Sequence, residues 1–362
     1  MKIKNIAKRI LNSHKDSTLN CGFMINPYIF GGGAVGGWKE LARTTLGSSN
    51  SNIDVTSLSN KRYYMILSSD FRTAGNTDGL IRYNSDTGSN YATRGSSNGG
   101  ADGTGTSGSG NWYSCDTGSD ENFSVNYVAN YSTKEKLSIL HRTNKGTSGA
   151  GNAPNRREWG GKWANTSNAI SSVTYYTGGS DTFSTNSEVV VLGWDPADTH
   201  TTNFWTELAS NNYTSGNWDT TFAKKKYLWV QAYMKLSSGA GGILVTMGDG
   251  SIDTGNVYNA RNSTNGASDT TLQDNFIHTT YTAQPTTPAF INMFIINVSS
   301  KEKLVIYHQI HQNTATASYV PDRYEGVGKY AMTTGQIDRI RLQPYGSGTI
   351  STTSAIKVWG SD

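Results

Sequence analysis

The sequence predicts an all-β protein: two tandem antiparallel β-sandwiches, jelly-roll-like in topology, with a short N-terminal helix. Three observations predict this fold. The chain repeats itself at a fixed spacing, its composition disfavours helices, and apolar runs of strand length recur between turn-forming residues. The expected organisation is a basic amphipathic leader and docking segment over 1–37, a first sandwich over 38–195, a linker over 196–204 and a second sandwich over 205–362.

The leader contains the one good helix candidate, residues 1–16, in which apolar side chains recur at helical spacing and basic side chains take the other face. Five basic residues against Asp16 account for the whole net charge of +4, so the repeats are neutral overall and do not support nucleic-acid binding. Residues 20–37 are apolar and end in glycines, which indicates either docking to another subunit or an extra strand on the first sandwich. The expected anchoring residues are Ile3, Ile6, Ile10, Leu11, Phe23 and Phe30.

The repeat defines the two sandwiches. The WKELA segment beginning at Trp38 returns as WTELA at Trp205, 167 residues later, and the KEKL segment at Lys134 returns at Lys301. We expect this offset to hold to the end of the chain. Each copy has about 158 residues, enough for an independent core and far more than the unit of a solenoid. The sequence therefore predicts duplication of a whole domain.

Strand signals dominate both copies. The hydrophobic fraction is 35% and the charged fraction 16%, with 40 glycines, a composition that favours short strands and tight turns. About eight strands per copy are expected, while the glycine- and serine-rich stretch Arg94–Asn111 is predicted to be a long flexible loop. The main predicted strands are Trp38–Thr45, Lys61–Asp70, Phe123–Asn130, Leu137–Arg142, Ile170–Tyr176, Glu188–Trp194, Lys226–Lys235, Phe290–Asn297, Leu304–Gln309, Ile337–Gln343 and Ala355–Gly360.

Cysteine usage and hydropathy bear on the compartment. The repeat match of Cys115 is Thr282, which excludes a disulfide repeated in each copy, and two unpaired thiols fit assembly in a reducing cytoplasm. Basic residues interrupt the apolar residues between Ile3 and Leu11, so a secretory signal is not expected. No stretch approaches the roughly 20 apolar residues of a membrane span.

No nucleophile elbow, phosphate loop or H-E-x-x-H zinc pattern occurs in the sequence, so we expect neither an enzyme nor a cofactor or metal. His141 and His308 are repeat-matched. They are interpreted as hydrogen-bonded strand histidines, with a base or ligand in two equivalent sites as the alternative. Carboxylates in the turns at 78–86 and 249–253 leave calcium open, although their spacing fits no EF-hand.

A set of charged and aromatic residues recurs in both copies between a proline loop and the next strand. One interpretation is a structural clamp, an Arg–Glu pair with packed aromatic rings. The alternative is a glycan contact, since rings stack on sugars while polar groups bond their hydroxyls. The set comprises Arg156, Glu158, Trp159, Lys162 and Trp163, with Arg323, Tyr324, Glu325, Lys329 and Tyr330.

Three motifs in each copy resemble a family. They are N-x-S/T-x-K-E-K-L, P-x-R-x-E-x-x-G-K-[WY]-A and a closing G-x-D, found at 130–137, 154–164 and 193–195 and again in the second copy. This pattern resembles a duplicated β-sandwich domain of predicted virion structural proteins of tailed bacteriophages from marine bacteria. The resemblance covers residues 38–362 and carries over no catalytic residues.

The resemblance implies a non-enzymatic virion structural protein, a decoration or projection component on the capsid or tail, assembled in the host cytoplasm. The expected partners are other virion proteins through the leader and further copies of the chain, with a trimer as the expected homo-oligomer. Host-surface glycans are a further candidate partner, and nucleic acid is not. The alternatives are a double jelly-roll capsid shell subunit and a tandem carbohydrate-binding module.

Overall fold

The computed structural model describes residues 37–72, 79–112, 121–179, 181–239, 241–280, 287–346 and 348–362. Within these ranges the chain is all-β, as the sequence predicts, and no helix is long and apolar enough to cross a membrane. The helix predicted over 1–16 and all six anchoring residues lie outside the described residues.

The first copy contains twelve strands in its described part, more than the eight expected from sequence. They are β1 (Lys39–Thr45), β2 (Asn52–Val55), β3 (Tyr63–Phe71), β4 (Gly79–Tyr83), β5 (Tyr91–Ser97), β6 (Gly103–Gly108), β7 (Asn111–Trp112), β8 (Glu121–Ala129), β9 (Lys136–Asn144), β10 (Asn155–Trp163), β11 (Val173–Thr177) and β12 (Glu188–Trp194).

The second copy repeats this series and adds a short two-stranded sheet. Its strands are β13 (Thr206–Asn212), β14 (Trp218–Thr221), β15 (Tyr227–Met234), β16 (Leu236–Ser238), β17 (Ile243–Gly248), β18 (Tyr258–Thr264), β19 (Thr270–Asp274), β20 (Ile277–His278), β21 (Ala289–Ile296), β22 (Lys303–His311), β23 (Asp322–Tyr330), β24 (Arg339–Pro344), β25 (Thr349–Ile350) and β26 (Ala355–Ser361).

In its described residues, each copy has one eight-stranded and one four-stranded antiparallel sheet. In the first copy the large sheet runs β1-β12-β3-β8-β9-β10-β5-β6 and the small sheet runs β2-β11-β4-β7. The second copy follows the same order, β13-β26-β15-β21-β22-β23-β18-β19 and β14-β24-β17-β20. The first strand of each copy pairs with the last, β1 with β12 and β13 with β26. The second strand pairs with β11 in the first copy and with β24 in the second. The hairpins β5–β6 and β9–β10, and their equivalents in the second copy, widen the large sheet.

The repeat offset is not constant along the chain. Tyr64 lies opposite Val128, whereas Leu228 lies opposite Ile295. Val128 and Ile295 are 167 positions apart, but Tyr64 and Leu228 are only 164 apart. The expectation of one constant offset is therefore wrong from β2 to β4. The second copy has three fewer residues than the first before β15, and three extra residues at the turn between β17 and β18 restore the offset of 167.

The stretch predicted as a long flexible loop, Arg94–Asn111, is structured. It holds the end of β5, all of β6 and the start of β7, and β5 pairs with β6 through a turn at Asn98 and Gly99. Both turn residues have positive φ, at 50° and 69°, which asparagine and glycine tolerate. An exposed edge strand needs no apolar side chains, so its glycines and serines gave no strand signal.

Each copy closes its own sandwich core between its large and small sheets. In the first copy Ile53 and Tyr175 of the small sheet pack with Ile66 and Val191 of the large sheet, all fully buried. The second copy builds the equivalent core from Val245, Ile340, Val230 and their neighbours. Alternation along each strand sends the intervening side chains to the opposite face of the large sheet.

The opposite faces of the two large sheets form a third core, here called the shared core. Met65, Val125 and Val190 of the first copy pack against the second copy, which contributes Trp229 and Trp359 among other apolar residues. The order of layers is therefore small sheet, large sheet, large sheet, small sheet. This back-to-back packing brings β9 and β10 against β22 and β23.

A compensated size exchange distinguishes the two sandwich cores. Trp159 lies opposite Leu140 in the first copy, and the equivalent pair in the second is Gly326 opposite Tyr307. A Cβ atom on Gly326 would lie 2.3 Å from the Tyr307 ring, so this position accepts only glycine without rearrangement. The large aromatic side chain of the pair therefore lies on β10 in the first copy, as Trp159, and on β22 in the second, as Tyr307.

Candidate functional site

Five apolar positions in or next to the large sheet have different environments in the two copies. In the second copy all five are buried in the shared core. In the first copy their equivalents lie at its margin or in solvent: Leu137 and Ile139 are 58% and 59% exposed, against 1% and 3% for Leu304 and Ile306. The equivalent pairs are Trp38 and Trp205, Tyr63 and Tyr227, Tyr127 and Phe294, Leu137 and Leu304, and Ile139 and Ile306.

These five positions of the first copy and Trp194 line a groove of about 330 Å³, here called the open groove. Trp194 stacks on Tyr63, with ring centroids 5.4 Å apart, and tilts against Trp38 at 6.5 Å. Rigid aromatic walls with two exposed aliphatic side chains form the type of surface that a partner buries. The open groove is the main candidate interaction surface in the described residues.

Equivalent lysines show the same asymmetry in the polar contacts. Lys329 is fully buried, lies 3.4 Å from Glu302, and donates hydrogen bonds to the carbonyls of Lys145 and Thr147 across the interface. Its equivalent, Lys162, is 46% exposed and contacts the exposed Glu135 at 3.2 Å. The two copies therefore close tightly on one side of the shared core and remain apart on the other.

The strands β10 and β23 correct the expected position of the recurring charged and aromatic set. The sequence placed this set between a loop and the next strand, but both segments are central strands of their sheets. Arg156, Glu158 and Lys162 lie on the face toward the other copy, whereas Trp159 and Trp163 lie in the sandwich core at 7% and 1% exposure. Alternation on a strand separates the groups that the sequence had read as one surface.

The second copy distributes its residues in the same way. Tyr324 and Tyr330 are buried, at 1% and 5% exposure, while Arg323, Glu325 and Lys329 lie on the opposite face. A sugar ring has no access to the faces of Trp163 or Tyr324 in this arrangement. The charged groups take part in contacts within and between the two copies.

Arg156 links the two copies. Its guanidinium lies 2.6 Å from Glu158, 2.6 Å from Asp269 of the second copy and 3.5 Å from Glu325. Burial acts to lower the pKa of Arg156, but the hydrogen bonds to Asp269 and Glu158 outweigh it and raise the pKa. The repeat equivalent, Arg323, is half exposed and forms an ion pair with Glu325 of its own copy, at 3.1 Å.

The two repeat-matched histidines do not lie in two separate sites. The rings of His141 and His308 touch, with centroids 4.4 Å apart, and Glu158 lies 3.8 Å from His308. Burial and the nearby His308 lower the pKa of His141 to about 3. Burial opposes ionisation of Glu158, but its contacts with His308 and Arg156 outweigh this and lower its pKa to about 2.

Sequence reasoning missed the open groove, although the repeat matched two of the residues that form it. The repeat identified Leu137 with Leu304 and Trp38 with Trp205, which implies equal environments. The environments differ because the two copies pack on each other asymmetrically, and nothing local to either segment encodes that packing. The signal available in the sequence was that Leu137 and Ile139 alternate with polar residues on one face of β9, while Leu140 lies on the other face in the sandwich core.

The described part of the chain thus defines an all-β protein of two β-sandwiches, fused through their large sheets. No family model and no curated protein matches the chain. Among solved structures, human GIVD cytosolic phospholipase A2 aligns at 5% identity with a TM-score of 0.12, over 75% of this chain. The alignment spans 33% of that protein, and at this TM-score the likeness carries no argument about fold or function.

Proposed function

We propose that this chain is a non-enzymatic structural protein of a virus particle, a homo-oligomeric component that decorates or projects from a capsid or tail. The strand order supports a jelly roll in each copy, since β1-β12-β3-β8 facing β2-β11-β4-β7 is the interleaved order of two nested Greek keys. Jelly rolls form many viral capsid domains. The N-terminal helix belongs to the same proposal.

The open groove is the observation that carries the proposal. Its five repeat equivalents in the second copy are all covered by a large sheet of the same kind of domain. Because the equivalent surface of the second copy packs on such a domain within the chain, the open groove is suited to pack on the same kind of domain in another chain. A second copy of this chain is therefore the proposed occupant, burying Leu137 and Ile139.

The leader supplies the attachment. Its basic amphipathic segment over 1–16 is suited to bind other virion proteins, and the glycines at 31–33 separate it from the first sandwich. Localisation in the virion, after assembly in the host cytoplasm, follows from this role. Removing residues 1–37 would abolish incorporation into particles; normal incorporation of the shortened chain would refute the attachment role.

Self-association is tested by light scattering on the full chain, with negative-stain images of the same fractions. Discrete small oligomers are expected, and the double substitution Leu137→Asn with Ile139→Asn would convert them to monomers. Val320→Asn, which alters another exposed apolar residue, would leave them intact. A wild-type monomer, or oligomers unaffected by the double substitution, would refute the role of the groove. If substitution of Phe23 and Phe30 alone abolished the oligomers, the occupant of the open groove would instead be the leader.

A capsid shell subunit is the second candidate. The observation that favours it is that one chain carries the interleaved eight-strand order twice, in two sandwiches that pack on each other through the shared core. The same images distinguish the two: closed shells or extended lattices indicate a shell subunit, and discrete oligomers indicate a decoration component.

A further inference from the structure

Two histidine–glutamate pairs meet where the copies cross. His141 on β9 lies directly opposite Glu158 on β10, and His308 on β22 lies directly opposite Glu325 on β23. Directly opposed residues share one face of a sheet with Cβ atoms about 5 Å apart. Because the two large sheets pack back to back, both pairs face the same point, and we call these four residues the His–Glu cluster.

The cluster has the donor atoms and spacing of a metal site. One ligand atom from each of His141, Glu158 and His308 lies within 4.8 Å of the other two. Ligand atoms around a tetrahedral ion with bonds of about 2.0–2.1 Å lie closer than this, so small side-chain rotations would complete the site. Nitrogen Nδ1 of His141 and Nε2 of His308 have no hydrogen-bond partner among the described residues.

These unpartnered nitrogens are the second observation that points to a ligand. A buried polar atom without a hydrogen bond costs about 1–3 kcal/mol, and most buried polar atoms of native proteins have a partner. A divalent cation between the rings would satisfy both nitrogens. His308 is 32% exposed and Glu158 is 26% exposed on their side chains, so an ion can reach the cluster from solvent.

The surrounding charges permit a cation. Arg156 contacts Glu158, but it is also held by two hydrogen bonds from its guanidinium to Asp269, at 2.6 and 3.2 Å. That second partner allows Arg156 to remain in place while Glu158 turns to an ion. Glu325, which is 3.5 Å from the same guanidinium, places a second carboxylate beside the three ligands.

We propose that the His–Glu cluster binds one divalent transition-metal ion per chain, with Zn²⁺ as the ion that its donor set fits best. Imidazole ligands select transition metals over Mg²⁺ and Ca²⁺, which prefer oxygen ligands alone. The ligands come from β9 and β10 of the first copy and β22 of the second. The bound ion therefore cross-links the two sandwiches.

The test is a titration of chelator-stripped full-length protein with Zn²⁺ by calorimetry, together with thermal unfolding. One ion per chain and a raised melting temperature are expected, because a ligand that binds only the folded state stabilises it. Co²⁺ in place of Zn²⁺ would show the visible absorption of a tetrahedral site. His141→Gln and His308→Gln would each weaken binding by at least about tenfold.

Control variants separate this site from other ligands of the chain. His200→Gln changes a histidine whose ring nitrogen bonds the Gly37 carbonyl, and it would leave the Zn²⁺ affinity unchanged. The double variant His14→Gln with Cys21→Ser, both in the leader, would also leave the Zn²⁺ affinity unchanged. The proposal is overturned if wild-type protein binds no stoichiometric ion, if the leader variant abolishes binding, or if folded His141→Gln and His308→Gln bind as wild type does.

Discussion

His141 and His308 occupy the same position in the two copies, and their rings touch edge to face with centroids 4.4 Å apart. Equivalent positions of the two large sheets therefore meet at this pair. The surroundings of other equivalent positions differ, since Lys329 is buried and Lys162 is exposed. One side of the interface is closed and the other is the open groove.

The leucine equivalents provide a direct measure of this asymmetry. Leu304→Ala removes a side chain that is 1% exposed in the shared core, and it should lower the free energy of unfolding by about 2–5 kcal/mol. Leu137→Ala changes a side chain that is 58% exposed and should alter it by less than about 0.5 kcal/mol in the monomer. Urea unfolding at low protein concentration measures both. Equal losses would contradict the one-sided closure.

The contact between Arg156 and Asp269 should contribute to joining the copies. Asp269→Ala leaves a buried guanidinium with fewer partners, and it should cost about 3 kcal/mol, at the lower end for a broken buried ion pair because Glu158 remains. Asp102→Ala, at the repeat-equivalent and half-exposed position, is the matched control and should cost less than about 0.5 kcal/mol. Denaturant unfolding decides, and similar costs for the two variants would exclude this role for Arg156.

Stability should rise with pH in the alkaline range because of Lys303. Burial lowers the pKa of Lys303 to about 8 from its ordinary value of 10.5. Between these values the unfolded chain holds more protons than the folded chain, so the free energy of unfolding gains up to about 1.4 kcal/mol per pH unit. Below pH 8 both states are protonated and the stabilisation is absent.

Lys303→Met removes this titration, so its free energy of unfolding should lack the Lys303 contribution to the rise between pH 8 and 10. Lys134→Met changes an exposed lysine and should follow wild type across the same range. Chemical denaturation at several pH values measures the three curves. A Lys303→Met curve parallel to wild type would refute the assignment.

Gly326→Ala should destabilise the second sandwich by about 1–3 kcal/mol, because the added Cβ meets the Tyr307 ring at 2.3 Å. Gly160→Ala is the matched control in β10, since a Cβ there meets nothing closer than 3.8 Å and should be tolerated. Thermal unfolding of both variants is the measurement. Equal melting temperatures would show that the Tyr307 side chain moves aside at little cost.

The sequence predicted the all-β class because strands such as β3 and β12 carry dense β-branched and aromatic runs. It missed β10 and β23, since their glycines and charged residues resemble a loop when read locally. These strands are held by neighbours on both sides, and that pairing is a tertiary property that overrides local propensity.

The His–Glu cluster was only half visible in the sequence. The repeat singled out His141, His308, Glu158 and Glu325, but each histidine was considered in its own copy. Cross-strand pairing joins each histidine to a glutamate, and back-to-back packing joins the two pairs. The second step depends on the relative placement of two folded domains, which no periodicity within one domain records.

The Trp159 and Gly326 exchange limits how the two halves of the chain can recombine. A crossover that placed the first copy's β10 beside the second copy's β22 would set a tryptophan against Tyr307. The reciprocal product would set a glycine against Leu140 and leave a hole in the core. Strands of the two copies are therefore not interchangeable parts, and recombination between the duplicated halves would yield chains that fold poorly.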